Sequence, residues 1–545
     1  MKKYKIQNIL HSKGHVSIET LIVAGLIIAT GAFLISKLVW KGKDVAISSN
    51  NNMSNASKAL DDDSFNNNQT SNPGGGNSNN PVTPPKVDDY TCDLENPSDL
   101  ADYDYAVIDD DFINSTIQKH KDNIRVYYSK DELKKWEESL RDLCKPLEGS
   151  IAITSYKGKA DDVTIPSCID GKKVTCINYN AFHNNKLTKV TIPNSVIHIG
   201  ESAFEESGLK SVNIPNSVTY IGDKAFRDNN LTEITLPNSI TSISVGLFEE
   251  NPLKEITIPD SVTSIGSGAF FSTNLTKVTI PDSVTSIGSE AFAYSNLTEV
   301  NIPNKVKHIG DECFSNNQLT SVTIPDSVTS IGNKAFFWNQ LTSVTIPDSV
   351  TSIGNEAFYN NKLTEVNIPD GITVIREHTF SWNKLTKINI PDSVTSIQEG
   401  AFHLNKLTEV NIPNKVKHIG DECFSDNQLT SVTIPDSVAD ISHGAFKNNK
   451  LTSVKIPDSI TCIGNYAFEN NQLTSVTIPS NVTCIGCEAF SNNKLTSVTI
   501  PKSVTIMSDE VFTDNPLKSV TIPKVFDKNK KKYFDKYSDI KFNLI

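Results

Sequence analysis

The sequence has little of several residue types, and each shortage excludes a class of protein. Its 545 residues include only 3 Met, 4 Trp and 9 Cys. Nine scattered cysteines are too few for a disulfide framework. Lys and Arg together number 51 against 63 Asp and Glu, so the net charge is -12, which argues against a surface that binds nucleic acid phosphates. Hydrophobic residues make up 37% of the chain, which is enough for a core and excludes a wholly disordered protein.

Two residue types are abundant because they recur at fixed places. The 24 Phe and 25 Pro include unbroken series at a spacing of 22 residues, from Phe182 to Phe512 and from Pro193 to Pro523. The repeated unit has the form A-F-x-x-N-x-L-T-x-V-T-I-P-x-S-V-T-x-I-G-x-x. A unit of this length cannot bury its apolar face alone, so stacked units must form one continuous core. The sequence therefore predicts a repeat solenoid over residues 149–523, closed by a C-terminal cap at 524–545.

The positions within one unit predict its local structure. Val344 and Ile346 lie on one face of a short strand, which Pro347 ends because proline has no amide hydrogen to donate. Gly354 predicts a left-handed turn, and Phe358 fills the core from a short turn or helical piece. Asparagine recurs three residues after the phenylalanine, where we interpret it as structural. This asparagine series includes Asn229, Asn317, Asn339, Asn361, Asn383, Asn427 and Asn493.

Residues 319–336, L-T-S-V-T-I-P-D-S-V-T-S-I-G-N-K-A-F, resemble the unit of the BspA-like leucine-rich repeat surface proteins. Ser327 and Ser349 occupy a position at which the commoner leucine-rich repeats carry Asn or Cys. The resemblance implies a right-handed, β-rich coil. It also implies a role in attachment to host or matrix proteins and to other cells. Blocks 301–328 and 411–438 differ at a single position, which indicates a recent duplication of five units.

The N-terminal residues predict an anchor. No charge interrupts residues 20–36, so a transmembrane helix is expected over 15–40 and a leader over 1–14. Residues 13–19 resemble a type IV prepilin leader, in which a peptidase cleaves after Gly14, makes His15 the new amino terminus and leaves Glu19 in the mature protein. That resemblance implies prepilin peptidase and pilin subunits as partners. An uncleaved signal anchor is the alternative, and both predict an extracellular solenoid.

Two segments separate the anchor from the repeats. Residues 41–87 are rich in Asn, Ser and Pro and predict a disordered linker. Residues 88–148 predict a small N-terminal capping module, with an amphipathic helix from Ser129 to Leu143. Cys92 and Cys144 flank this module and are a candidate disulfide. Cys462 and Cys484 share one position in adjacent units, although stacked parallel side chains favour disulfide geometry poorly.

The sequence predicts neither an enzyme nor a cofactor or metal site. Catalysis by a nucleophile requires a histidine and a carboxylate beside it. Instead, the histidines occupy repeat positions far apart and are interpreted as surface variation: His183, His198, His308, His403 and His418. No glycine-rich phosphate loop follows a predicted strand. Cys484 and Cys487 form a C-x-x-C without a second cysteine pair, which is weak evidence for zinc.

Variation just after the core phenylalanine points to a binding surface. In the central units these positions become aromatic: Phe271, Tyr294, Phe337, Trp338, Tyr359 and Trp382. Their rings either stack for stability or form a contact patch for a protein. We therefore expect a membrane-anchored surface protein that binds extracellular or host proteins in adhesion or recognition. The alternative is a minor pilin-like subunit of a type IV pilus or secretion filament that displays the repeats.

Overall fold

The computed structural model describes residues 100–124, 130–534 and 539–545. The predicted leader, transmembrane helix and linker and the first cysteine, Cys92, lie outside these residues. No helix in the described part of the chain is long and apolar enough to cross a bilayer. The described residues divide into two compact units, one of which contains residues 113–124 and 130–143 and the other residues 100–112, 144–534 and 539–545.

Two helices contribute residues to the smaller unit. The first, α1, spans Asp110–Ile124, and the second, α2, spans Lys130–Cys144 and is followed by a 3-10 helix at Lys145–Leu147. The backbone amide of Phe112 donates a hydrogen bond of 2.8 Å to the Asp109 carboxylate, which caps the start of α1. Arg141 of α2 donates to the Asn114 side chain of α1 at 2.6 Å. The sequence predicted α2 but not α1.

The larger unit begins with an antiparallel pair of strands. A 3-10 helix at Leu100–Asp102 leads into the strand Tyr103–Val107, which pairs with Ile151–Tyr156. Strand Ile151–Tyr156 also pairs in parallel with Lys172–Ile177. Strand Lys172–Ile177 in turn pairs antiparallel with the short strand Cys168–Ile169. The first strand thus belongs to the predicted capping module by sequence and to the solenoid by pairing.

Two parallel ladders then run through the repeats with a register of one unit. The first, which we call the threonine ladder, pairs residues such as Thr345 and Asn367, and its strands are Asp162–Thr164, Lys189–Thr191, Ser211–Asn213, Lys277–Thr279, Glu299–Asn301, Ser497–Thr499, Ser519–Ile522 and Lys541–Leu544. The second, the isoleucine ladder, has the strands His198–Ile199, Tyr220–Ile221, Ser242–Ile243, Ser264–Ile265, Ser286–Ile287, His308–Ile309, Ser330–Ile331, Ser352–Ile353, Val374–Ile375, Ser396–Ile397, His418–Ile419, Asp440–Ile441, Cys462–Ile463, Cys484–Ile485 and Ile506–Met507. A last 3-10 helix, Lys524–Lys532, precedes the final strand.

A column of stacked phenylalanine rings forms the centre of the core. Neighbouring rings are 4.9 Å apart at Phe182 and Phe204 and at most 5.9 Å apart further along, which is the range of favourable aromatic pairs. Tyr156 stacks on the first ring at 5.3 Å, and Phe534 stacks on the last ring of the series at 5.4 Å. An aromatic side chain therefore extends the phenylalanine column at each end, Tyr156 before the first repeat and Phe534 after the last. The repeat solenoid predicted from the period is confirmed.

The asparagine series is buried and bonds each coil to the coil before it. The Asn361 side-chain oxygen accepts the Leu341 amide hydrogen at 3.0 Å. Its amide group donates to the carbonyl oxygens of Phe336 at 2.9 Å and Phe358 at 3.2 Å. In three coils Ser207, Thr273 and Ser295 replace asparagine, and the hydroxyls of the last two lie 2.7 Å apart. One buried amide thus satisfies backbone groups of two coils, which is a structural role.

Serine in the repeat has a comparable task. The Ser327 hydroxyl donates to the Val306 carbonyl oxygen at 2.7 Å, and the Ser349 hydroxyl donates to that of Val328 at the same distance. Both acceptors lie in the preceding coil. A short side chain with a donor fits this position.

The predicted role of Gly354 is wrong. Its backbone does not adopt a left-handed conformation; instead, a Cβ atom there would lie 2.4 Å from the backbone nitrogen of Asn333. The glycine is therefore required by the close approach of two coils. The left-handed residues are Glu356 and Asn360, two residues before and after Phe358.

The disulfide bonding of the cysteines differs from the pairing that the sequence favoured. Cys144 carries a free, buried thiol, which disagrees with the predicted bridge to Cys92. Burial raises the pKa of this thiol to about 11. Cys168 is disulfide-bonded. Cys462 and Cys484 form a disulfide across adjacent coils, with Cα atoms 4.8 Å apart.

Candidate binding surface

The turn after each core phenylalanine positions the predicted aromatic stripe. Hydrogen bonds between coils fix this turn; for example, the Trp338 amide donates to the Tyr359 carbonyl oxygen at 3.0 Å. In every repeat the residue two positions after the phenylalanine has a positive φ. We call these residues the turn column: Asn184, Glu206, Asp228, Glu250, Ser272, Tyr294, Asn316, Trp338, Asn360, Trp382, Leu404, Asp426, Asn448, Asn470, Asn492 and Asp514.

Aromatic residues are unusual occupants of the turn column. Asn and Asp tolerate a left-handed backbone, and they fill nine of the sixteen positions of the column, whereas bulky side chains adopt this conformation at a cost. Tyr294, Trp338 and Trp382 have φ values of 54°, 52° and 55°. Each conformation of this kind costs about 1–3 kcal/mol. Their rings are therefore not explained by local backbone preference.

The six aromatic side chains of the predicted stripe fall into two groups, one half-buried and one exposed. Phe271, Phe337 and Tyr359 directly follow a core phenylalanine and are half-buried. The three turn-column rings are exposed, with Tyr294 at 42% and both tryptophans at 49%.

Each exposed ring contacts a half-buried ring. The centroid distances are 5.2 Å for Phe271–Tyr294, 6.0 Å for Phe337–Trp338 and 6.4 Å for Tyr359–Trp382. The half-buried rings thus hold the exposed ones in place.

A groove of about 290 Å³ lies beside Trp338. Apart from the indole, its lining is polar and consists mainly of side-chain amides. The lining residues are Ser295, Asn296, Asn316, Asn317, Gln318, Trp338, Asn339, Gln340 and Asn360. The amides of Asn317 and Asn339 are already bonded to the backbone. The other lining amides offer donors and acceptors, so the groove suits an uncharged ligand with many hydroxyl or amide groups.

Charged groups border the aromatic side chains without entering the groove. The Lys334 ammonium lies 3.8 Å from the Glu356 carboxylate and 5.7 Å from the centroid of the Phe337 ring. Burial, with smaller effects from nearby carboxylates, raises the pKa of Tyr294. Its phenol therefore stays protonated and can donate a hydrogen bond.

The other candidate groups are dispersed. His198 is buried rather than on the surface, and burial lowers its pKa to about 4. His308 and His418 occupy the same repeat position and are exposed. Within the described ranges, no three His, Cys, Asp or Glu side chains are grouped so that they could hold a metal ion. The prepilin-like Gly14, His15 and Glu19 lie outside those ranges.

A feature that the sequence interpretation missed is the alternation within the turn column. Tyr294, Trp338 and Trp382 stand in every second coil, with Asn316 and Asn360 between them. We call these five residues the alternating row. Aligning the units by the position two after phenylalanine would have revealed the row, and the many Asn and Asp residues of that column would have indicated its left-handed backbone.

The repeats match a family model described as a BspA type leucine rich repeat region. The matches cover residues 175–297, 219–340, 329–451 and 417–541, which together make up about two thirds of the chain. No curated protein matches the chain.

Several solved structures are similar to the chain. A leucine-rich repeat protein from Bacteroides ovatus is 26% identical with a TM-score of 0.44, over 73% of this chain and 96% of that one. One from Eubacterium ventriosum is 25% identical with a TM-score of 0.37, over 60% and 90%. A leucine rich cell surface protein from Faecalibacterium prausnitzii is 23% identical with a TM-score of 0.29, over 72% and 90%.

Proposed function

Since the chain belongs to the BspA-type leucine-rich repeat family, we propose that it is a membrane-anchored cell-surface protein that binds extracellular or host proteins in adhesion. The observation that supports this function most directly is the set of exposed aromatic rings at Tyr294, Trp338 and Trp382. Exposed tryptophan and tyrosine are the residues that dominate the energetics of protein interfaces. A leucine-rich repeat solenoid is typically a non-enzymatic scaffold for such a surface.

The structure of the repeats suits this task because the rings are held in place before any ligand binds. Each exposed ring contacts a half-buried neighbour, and the backbone beneath is bonded to the next coil. A preorganised surface loses little side-chain entropy on binding.

Binding of matrix proteins tests the proposal. We expect the full-length protein to bind immobilised extracellular matrix proteins, and the double variant Trp338→Asn, Trp382→Asn to bind about thirtyfold more weakly or worse, because truncating a hot-spot tryptophan costs about 2 kcal/mol or more. Surface plasmon resonance measures the difference. Tyr220→Ala removes an exposed ring from the isoleucine ladder and serves as the control. Equal binding by the double variant would rule out this surface.

The anchor in this proposal is the apolar segment at 15–40. Gly14 and Glu19 match the prepilin leader position for position, which favours a processed N-terminus and supports the second candidate function, a minor pilin-like subunit. We expect prepilin peptidase to release a chain that begins at His15. N-terminal sequencing of protein from the membrane fraction measures this directly. An intact Met1 would exclude processing and leave the plain signal anchor.

A further inference from the structure

We propose that the alternating row binds an extended β-linked polysaccharide, with the three aromatic rings stacking on every second sugar and the amides between them bonding the hydroxyls. This inference goes beyond the protein binding proposed above, because it assigns the same aromatic rings a second class of ligand, and the experiment below distinguishes the two. The row is Tyr294, Asn316, Trp338, Asn360 and Trp382.

The spacing of the row sets the repeat of the ligand. The Cα atoms of Cys462 and Cys484, at one position of the isoleucine ladder in adjacent coils, are 4.8 Å apart. The core phenylalanine rings two residues before the row are 5.4 to 5.7 Å apart between neighbouring coils. Residues of the row that are two coils apart are therefore separated by about 10 to 11 Å. The disaccharide repeat of an extended β-linked hexose chain has a comparable length, and alternate sugars in that chain present the same face. A polymer of this kind places one sugar on each ring without bending.

The side-chain types in the row match the two surfaces of a sugar. One face of a pyranose consists of C–H groups, which fit the flat apolar face of an indole or phenol ring. Its rim carries hydroxyls, which donate and accept hydrogen bonds as side-chain amides do. The lining of the groove beside Trp338 supplies such amides from Asn316, Gln318 and Asn360.

The groove beside Trp338, unlike the exposed rings themselves, lacks the apolar lining of a pocket that anchors a protein side chain. Protein interfaces combine aromatic side chains with other apolar residues and Arg in closely packed pockets. Here only amides and the hydroxyl of Ser295 accompany Trp338 in the groove. The Gln318 amide already donates to the Asn296 side-chain oxygen at 3.2 Å, so the groups are oriented but retain hydrogen-bonding capacity.

The backbone conformation adds an independent argument. The rings occupy left-handed positions at which neighbouring coils have Asn316 and Asn360. Strained conformations of bulky residues are concentrated at functional sites, although Leu404 outside the row has the same conformation. Three such residues recur at a constant interval, which a polymer with a fixed repeat would use.

Calorimetric titration with defined oligosaccharides tests the proposal. The probes are β-linked hexasaccharides of glucose and of N-acetylglucosamine, with an α-linked glucose hexasaccharide for comparison. The full-length protein is kept in a detergent without a sugar head group, because such a head group would compete. We expect at least one β-linked probe to bind and the α-linked probe to bind at least about tenfold more weakly, since it cannot lie straight along the row.

Variants then locate the site. Trp338→Asn with Trp382→Asn keeps the backbone preference of the column and removes two rings, so the affinity for the β-linked probe falls by about tenfold or more. The matched control is Leu404→Asn, the same kind of change at a left-handed position outside the row, which leaves the affinity unchanged. Loss of binding in the control, or undiminished binding in the double variant, would overturn the proposal.

The outcomes also separate this inference from the proposed function. Binding of matrix proteins that depends on the tryptophans, with no binding of either β-linked probe, would overturn the polysaccharide and retain protein recognition. Binding of a β-linked probe without any binding of matrix proteins would support the polysaccharide and contradict protein recognition. Equal binding of α- and β-linked probes would contradict the extended geometry.

Discussion

Two neighbouring positions in each repeat have opposite properties. The residue three after the core phenylalanine is usually a buried asparagine, as at Asn361, whereas the residue two after it is left-handed and varies from Asn360 to Trp338. The backbone amides of both Asn360 and Asn361 donate hydrogen bonds to carbonyl oxygens of the next coil. The difference lies in what the side chain does: the first bonds two coils, and the second faces solvent. In a repeat protein, a residue that is the same in nearly every unit thus indicates a bond between coils. A residue that varies at an exposed position indicates a surface that can bind a partner.

Replacing a buried asparagine should have the largest effect. Asn361→Leu keeps the side-chain size but leaves the Leu341 amide and the Phe336 carbonyl group without their partner. A buried unsatisfied group costs about 1–3 kcal/mol, so we expect a loss of about 2–4 kcal/mol in the free energy of unfolding. Urea denaturation measures the loss, and hydrogen exchange should be faster at the Leu341 amide.

The adjacent residue provides the control for that comparison. Asn360→Ala changes a side chain in the turn column without touching the buried bonds, and we expect a loss of about 1 kcal/mol or less, from the left-handed backbone alone. Equal losses for Asn361→Leu and Asn360→Ala would show that the two positions do not differ as the structure indicates.

Removing the exposed rings should have the smallest effect on stability, and it should raise rather than lower the free energy of unfolding if it changes it at all. Trp338→Asn with Trp382→Asn replaces bulky left-handed residues by the type that tolerates this conformation. We expect the free energy of unfolding to stay unchanged or to rise by about 1 kcal/mol, because relief of strain offsets the lost ring contacts. Thermal unfolding checks this. A marked fall in stability would show that the rings serve the fold.

The period alone was enough to predict most of the solenoid. A spacing of 22 residues between phenylalanines requires stacking, and the asparagine three residues later had few roles other than a bond to the turn. What the period could not give is how closely the backbones of two coils approach at each turn. Gly354 was therefore mistaken for a turn glycine, although it is the neighbouring Asn333 backbone that leaves no room for a Cβ atom.

Burial of equivalent residues also depends on local neighbours. His198, His308 and His418 share one repeat position, yet only the first is buried; its ring lies 4.8 Å from that of Tyr220 in the next coil. The aromatic candidates were identified from the sequence, because departures from a strict repeat are easy to see. Their left-handed backbone was not, because it arises from hydrogen bonds between coils.

The direction of the asparagine bonds has a consequence for biosynthesis. Asn361 bonds the Leu341 amide 20 residues earlier and the Phe336 carbonyl group 25 residues earlier. A ribosome delivers the chain from its N-terminus, so a newly emerged coil lacks these partners until the following coil has been synthesised. Folding during translation should therefore proceed in one direction, with the youngest coil always incomplete. Chains that stall between repeats would each expose one such unfinished turn, whatever the number of coils already formed.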